Sequence, residues 1–184
     1  NIPYLKFINN DPIFINFKKT IREFLINRGI NEKGAEILTN ILLESIKEIY
    51  PKGLYEFQHR AIKEQLSSNS STLCLISAPT GSGKTEAFII PAILFALAGK
   101  FSGNNLTKAI LMYPRKTLSS DQAGRILKLL VTLNEKIKEN FSEKYILKLG
   151  LLDGDTNKEY KKDSKKTNPI PFRGITIEKG GNKY

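Results

Sequence analysis

The chain has 184 residues and a formal net charge of +11, from 29 Lys and Arg against 18 Asp and Glu. This length fits one domain with extensions, and 40% hydrophobic with 26% charged residues is typical of a globular protein rather than a disordered or fibrous one. A bilayer span, an internal disulfide and a Cys/His zinc set are excluded, because the longest apolar stretch covers only residues 87–98 and the chain has one cysteine and one histidine.

The first third of the chain predicts helices. Residues 1–16 show no clear periodicity and predict an extended lead-in. Apolar residues at helical spacing predict helices over 17–27, 31–50 and 56–66. Gly29 ends the first helix, Asn31 caps the second, and Pro51 with Gly53 ends it.

From residue 72 onward the pattern alternates between strands and helices. Short apolar runs predict buried strands at 72–77, 108–113 and 145–152, with Cys74 and Met112 as core residues. Helices are predicted between them, over 86–98 and 116–138. Strands alternating with helices of this length indicate right-handed crossovers, so the fold class is α/β with a parallel sheet flanked by helices.

A glycine-rich turn follows the first predicted strand, where residues 78–85 read Ala-Pro-Thr-Gly-Ser-Gly-Lys-Thr. Glycines let backbone N–H groups converge on phosphate oxygens, and the following helix places its positive end there. Lys84 can reach the β- and γ-phosphates and the Thr85 hydroxyl can ligate Mg²⁺, so ATP and Mg²⁺ are the expected cofactors. The predicted nucleotide-binding residues beside these two are Pro79, Thr80, Gly81, Ser82, Gly83 and Glu86.

The first glycine of the general phosphate-loop formula is replaced here by Ala78. This variant resembles motif I of superfamily 2 helicases and translocases, the DEAD/DEAH-type group, in which a glutamate at the position of Glu86 is also frequent. The resemblance implies a RecA-like domain. Upstream, Gln58 and its neighbours resemble the Q motif, whose glutamine amide matches the donor and acceptor of adenine. His59 beside it is expected at the surface.

A second basic element opens the helix that follows the second predicted strand. Its residues Pro114, Arg115, Lys116, Thr117 and Gln122 are similar to motif Ia, which binds one nucleic-acid strand by its phosphates. Free amides at a helix N-terminus together with basic and hydroxyl side chains suit such binding.

A second contact with the nucleic-acid strand is implied after residue 152. Gly154, Asp155 and Thr156 resemble the Gly-Asp-Thr element of the family, although Asp-Gly-Asp is also an ordinary turn.

The chain lacks two parts that the resemblance requires. No adjacent Asp-Glu pair is present, so the acidic motif that holds Mg²⁺ and orients water is absent, and nothing resembles the second RecA-like lobe. We therefore expect a helical N-terminal extension over 1–53 and a partial RecA-like domain over 54–184, belonging to a longer protein. Alone, this piece is expected to bind ATP without efficient hydrolysis.

The expected partner is nucleic acid, with DNA favoured over RNA because the motifs resemble Lhr-like and phage-defence helicases. No membrane partner is expected, and the absence of a signal-peptide pattern favours a cytoplasmic location. The last 29 residues carry eight Lys and Arg against three acidic residues, typical of a solvated basic segment. Two alternatives remain: a non-motor nucleic-acid-binding module with a regulatory nucleotide site, and a phosphoryl-transfer enzyme.

Overall fold

A computed structural model describes residues 4–5, 11–68, 73–79, 81–103, 109–150, 178–179 and 182–183. Five helices make up most of the described chain. The elements in chain order are β1 (Tyr4–Leu5), α1 (Pro12–Asn27), α2 (Glu32–Ile49), β2 (Leu54–Tyr55), α3 (Glu56–Ser67), α4 (Lys84–Phe101), α5 (Lys116–Asn140), a 3-10 helix (Glu143–Tyr145), β3 (Glu178–Lys179) and β4 (Asn182–Lys183). β1 pairs antiparallel with β2 through Tyr4 and Tyr55, and β3 pairs antiparallel with β4.

Local signals set the ends of the first two helices. Asn31 caps α2 as predicted, and its Oδ1 accepts from the Gly34 amide at 2.8 Å. The predicted lead-in over 1–16 is wrong for its last part, because α1 begins at Pro12. Asp11 caps that helix by accepting from the Ile13 amide at 2.8 Å, and proline suits the first helical position.

The helices share one hydrophobic core. α2 packs against α5, α1 against α2 and α3, and α3 against α4. The side chains buried most completely at this core come from all five helices and β2, and include Phe17, Leu38, Leu42, Leu54, Ile62, Leu94 and Leu129. The helices predicted as an N-terminal extension therefore pack directly on the helices that carry the phosphate loop and motif Ia.

The first two predicted strands are not formed in the described residues. Residues 73–79 and 109–113 lie in no helix or strand, and most of their large apolar side chains are exposed: Leu73 is 94% exposed and Met112 is 88% exposed, whereas Leu111 is partly buried against the core. Cys74 is exposed as well. The core positions predicted for Cys74 and Met112 are thus wrong. A parallel strand is buried only where neighbouring strands and helices cover both its faces, and the described residues supply no such neighbour here.

The third predicted strand, over 145–152, begins instead with the 3-10 helix, and residues 151–152 lie outside the described part. Asn134 of α5 fixes the segment that follows. Its Nδ2 donates to the Leu147 carbonyl and its Oδ1 accepts from the Leu147 amide, both at 2.9 Å. One side chain thereby satisfies both backbone groups of a residue that lacks a strand partner among the described residues.

Candidate nucleotide and nucleic-acid site

The phosphate loop turns on two glycines with positive φ. Gly81 has φ +78° and Gly83 has φ +83°, a left-handed region that other residues rarely adopt. Gly83 is the N-cap of α4, so the helix begins at Lys84 and its first amides lie at the loop. The Ser82 amide donates to the Pro79 carbonyl at 3.3 Å, which closes the turn. Thr80 lies outside the described residues.

Lys84 bends back into the loop. Its Nζ donates to the Ala78 carbonyl and, at 2.7 Å, to the Pro79 carbonyl. The ammonium group therefore lies where the loop backbone converges, and a phosphate at this position would replace the two carbonyls as its partner. Thr85 follows in the first turn of α4 and is half-buried.

Gln58 lies against the last glycine of the loop. It is only 3% exposed, and its Nε2 donates to the Gly83 carbonyl at 2.6 Å and to Glu86 Oε2 at 3.3 Å. Its Oε1 accepts from the Tyr55 amide at 2.7 Å, as the third residue of a helix does in a capping box. Both polar atoms of the side chain are thus engaged, and adenine recognition by Gln58 stays a prediction that requires these bonds to be exchanged.

Glu86 is a buried carboxylate in the first turn of α4. The residue is 7% exposed, and its Oε1 lies 3.5 Å from a guanidinium nitrogen of Arg125 in α5. On another side is Tyr50, the C-cap residue of α2. Burial, the charge of Glu86 and a hydrogen bond to Glu86 together raise the pKa of the Tyr50 hydroxyl. Glu86 therefore joins α2, α3 and α5 to the phosphate-loop helix.

A second glutamine ties α3 to α4 one turn further on. Pro91 lies inside α4 and has no N–H, so it cannot donate to the carbonyl of Ala87 four residues earlier. Gln65 Nε2 donates to that carbonyl at 2.7 Å. Gln65 of α3 therefore supplies the donor that Pro91 cannot give to the Ala87 carbonyl.

His59 is buried, contrary to the surface position expected for it. It is 8% exposed and its ring meets Phe17 edge-on, with centroids 4.8 Å apart. Its Nε2 has no hydrogen-bond partner among the described residues. Burial lowers the pKa of His59, and the charge of Lys63 lowers it further. The residue is three positions before Ile62 and seven before Leu66, on the buried face of α3.

The predicted nucleic-acid-binding residues lie at the start of α5. Pro114, Arg115 and Thr117 are exposed, and Arg115 is the N-cap residue but makes no side-chain capping bond. Lys116 begins the helix, and its side chain lies outside the described part. The first turn holds no acidic residue, so its amides and positive end can meet a phosphate.

Gln122 differs from its neighbours because it is buried. It is 9% exposed, and its Oε1 has no partner among the described residues. Its role in nucleic-acid binding stays a prediction. Gly154, Asp155 and Thr156 lie outside the described residues, so their role stays a prediction.

The residues of structural importance that were not singled out from the sequence include the following three. Tyr50 and Arg125 meet at Glu86 from two different helices, and Asn134 binds Leu147. Only the third shows a local signal, as a polar residue within an apolar helix face. The first two depend on contacts distant in the sequence.

No helix of the described part is long and apolar enough to cross a membrane. Over the same residues, His, Cys, Asp and Glu nowhere gather in a group of three that could hold a metal ion.

Comparison with known proteins identifies the family. The DEAD/DEAH box helicase family model matches residues 55–170, more than half of the chain. The chain therefore belongs to this family, which implies a RecA-like α/β fold. The parallel sheet of that fold stays a prediction, because the described residues show none.

Several curated proteins are similar to the chain. It is 36% identical over 90 residues to the human ATP-dependent RNA helicase DDX18, covering 49% of this chain and 13% of that protein. It is 30% identical over 125 residues to the mitochondrial ATP-dependent RNA helicase MSS116 of Saccharomyces cerevisiae, covering 62% and 19%. It is 38% identical over 105 residues to the Druantia protein DruE of Escherichia coli, covering 54% and 6%. The matches thus span less than a fifth of each relative. No solved structure matches significantly.

Proposed function

We propose that the full-length protein is an ATP-dependent helicase or translocase, and that this chain supplies its ATP-binding and part of its nucleic-acid-binding surface. The observation that carries the proposal is the phosphate loop at the N-terminus of α4, with the Lys84 ammonium turned into it and Gln58 bonded to Gly83. Within the chain we propose a helical segment over 1–53 and a partial RecA-like domain over 54–184. The missing acidic motif and second lobe would come from elsewhere in the protein.

The loop residues fit Mg²⁺-bound ATP. The Ser82 hydroxyl is buried in the loop with no hydrogen-bond partner among the described residues, and the Lys84 ammonium is already aimed inward. Backbone amides of 81–84, the Lys84 ammonium and the Thr85 hydroxyl would hold the phosphates and the metal ion. A bound Mg²⁺ would neutralise charge on the phosphates. Release of the loop carbonyls from Lys84 accompanies binding.

The nucleic-acid strand would lie across the N-terminus of α5. Arg115 and Thr117 are exposed there beside the free helical amides, and such groups bind phosphates without reading sequence. DNA, which the motif resemblance favours, is the polymer that we propose for this strand. RNA is the alternative, supported by the names of the human and yeast relatives, whereas the name of the Druantia relative specifies no polymer.

The test is ATP hydrolysis by the full-length protein with single-stranded DNA, duplex DNA or RNA. We expect strong stimulation by one polymer, abolished by Lys84→Ala. Lys100→Ala, in the last turn of the same helix, is the matched control and should leave the stimulated rate unchanged. Hydrolysis that no polymer stimulates would refute the motor and favour a phosphoryl-transfer enzyme. Polymer binding without hydrolysis would favour a module with a regulatory nucleotide site.

The full-length protein also serves to test where the nucleic-acid strand binds. Arg115→Ala should weaken binding of the preferred polymer about equally for different sequences, and reduce the slope of log affinity against log salt by about 1. Arg28→Ala is the control, because its guanidinium lies over the Phe24 and Phe95 rings, away from α5. An unchanged affinity and slope for Arg115→Ala would place the strand elsewhere.

A further inference from the structure

Glu86 is the meeting point of three elements that come from distant parts of the chain. Arg125 reaches it from α5, Gln58 from α3, and Tyr50 from the end of α2. The Glu86 side chain is 9% exposed, whereas Arg125 is 55% exposed. Burying a carboxylate costs free energy unless hydrogen-bond donors replace the water it has lost. Among the described residues, Arg125, Tyr50 and Gln58 provide such donors.

Gln58 transmits the position of this carboxylate to the phosphate loop. A single nitrogen, Nε2, is shared between Glu86 Oε2 and the Gly83 carbonyl. A change in the Glu86 position therefore changes the direction from which Gln58 meets the loop. Among the described residues, this nitrogen links the Glu86 side chain to the loop backbone, so the effect passes through it.

The loop backbone lies directly against this pair. A Cβ added at Gly83 would lie 2.6 Å from Gln58 Nε2 and 3.3 Å from Glu86 Oε2. At Gly81, by contrast, an added Cβ would meet no described atom within 4 Å. Packing this tight makes the last glycine of the loop sensitive to small shifts of Gln58 and Glu86.

We propose that Tyr50 and Arg125 are positioning residues for the phosphate loop and act on it through Glu86. The inference rests on the proposed function, because it concerns the same nucleotide site. Its consequence is that two helices outside the loop, α2 of the N-terminal segment and α5 of the motif Ia element, set the affinity of the loop for nucleotide. Neither side chain needs to touch the nucleotide.

The first experiment measures the conformation of the loop without nucleotide, by hydrogen exchange of peptides covering 78–86 in the full-length protein. Tyr50→Phe and Arg125→Met each remove one partner of Glu86. We expect exchange in these peptides to rise about threefold to tenfold in each variant, as for loss of one hydrogen bond of ordinary strength. Glu44→Gln is the matched control, because Glu44 pairs with Lys136 at 3.2 Å and also joins α2 to α5.

The second experiment measures the dissociation constant of a fluorescent, non-hydrolysable ATP analogue with Mg²⁺, and KM and kcat for ATP. We expect the dissociation constant and KM to rise about threefold to tenfold in Tyr50→Phe and Arg125→Met, with kcat within about twofold. Arg125→Lys keeps the charge and should recover most of the loss. Because the residues act through one carboxylate, the double variant with Tyr50→Phe and Glu86→Gln should have a dissociation constant little higher than that of Glu86→Gln alone.

The outcomes separate the two proposals. Unchanged loop exchange and nucleotide affinity in both Tyr50→Phe and Arg125→Met would overturn the positioning role, while the Lys84→Ala result would still support the nucleotide site. Additive effects of Tyr50→Phe and Glu86→Gln on the free energy of nucleotide binding would also overturn it, because the effects of residues that act independently add. If the unaltered protein binds no nucleotide, the proposed function fails and this inference fails with it. If Glu86→Gln does not fold, the other two variants decide the result.

Discussion

The bond from Gln65 to the Ala87 carbonyl should stabilise the fold only because residue 91 is proline. In an ordinary helix the N–H of residue 91 would donate to this carbonyl, and Gln65 would add little. Pro91 has no N–H, and Ala87 is fully buried, so removing Gln65 leaves a buried acceptor without its partner. Gln65→Ala should therefore destabilise the protein, and Pro91→Ala should remove most of that effect.

The magnitude follows from the cost of leaving a buried polar group unpaired, about 1–3 kcal/mol. Gln65 is half-buried and also donates to the Ala61 carbonyl at 2.9 Å, so we expect a loss of about 1–2 kcal/mol for Gln65→Ala. When residue 91 is alanine, the helical N–H satisfies Ala87 and the same substitution should cost less than about 0.5 kcal/mol. The coupling between the two sites is then about 1 kcal/mol.

The stability of the four proteins with Gln or Ala at position 65 and Pro or Ala at position 91 is measured by urea unfolding. Unfolding is followed by circular dichroism at low micromolar concentration and low salt. The comparison requires that the urea midpoint of unfolding does not change with protein concentration. Asn140→Ala removes an exposed bond to the Lys136 carbonyl and serves as the control, with an expected change below about 0.5 kcal/mol. An equal loss for Gln65→Ala with proline or alanine at position 91 would refute the reasoning.

Three further predictions concern other contacts. Gly83→Ala should abolish nucleotide binding and should destabilise the protein more than Gly81→Ala. Both glycines have a positive φ, but only Gly83 lies against side chains. Similar losses of melting temperature and of nucleotide affinity in the two variants would contradict this. The pKa of His59 is lower in the folded chain than in the unfolded chain, where it lies at about 6.5. The unfolded chain therefore binds the proton more readily as pH falls, so urea stability should fall from pH 7 to pH 5 and His59→Leu should flatten that curve; parallel curves would exclude His59 as the cause. Asn134→Ala should speed exchange of the Leu147 amide about tenfold or more, and unchanged exchange would show that the bond is not needed.

The helices could be predicted from the sequence because their signals are local. Asn31 caps α2, Gly29 ends the preceding turn with φ +88°, and Gly53 follows α2 with φ +90°. The early start of α1 had a local signal too, since Asp11 followed by proline is a strong helix start. The signal of the phosphate loop was equally local: Gly81 and Gly83 have positive φ and α4 begins at Lys84.

Burial and long-range contacts could not be read in the same way. The exposure of Leu73, Leu75, Ile110 and Met112 depends on whether other strands cover them, which an apolar run does not specify. Glu86 lies on the same face of α4 as Ile90 and Ile93, which marks it as buried. Its partners Tyr50 and Arg125 are 36 residues before and 39 residues after it, so no local pattern connects them.

The outward-facing apolar runs also determine how the chain behaves at high concentration. Leu73, Leu75, Ile110 and Met112 belong to β-prone segments whose backbone has no ladder partner among the described residues, and such segments template pairing between molecules. The charge of +11 opposes that association through repulsion. Because salt screens charge to about 10 Å at 0.1 M, added salt should promote self-association of the isolated chain. Cys74, exposed within the first run, would then allow disulfide cross-linking between copies in oxidising buffer.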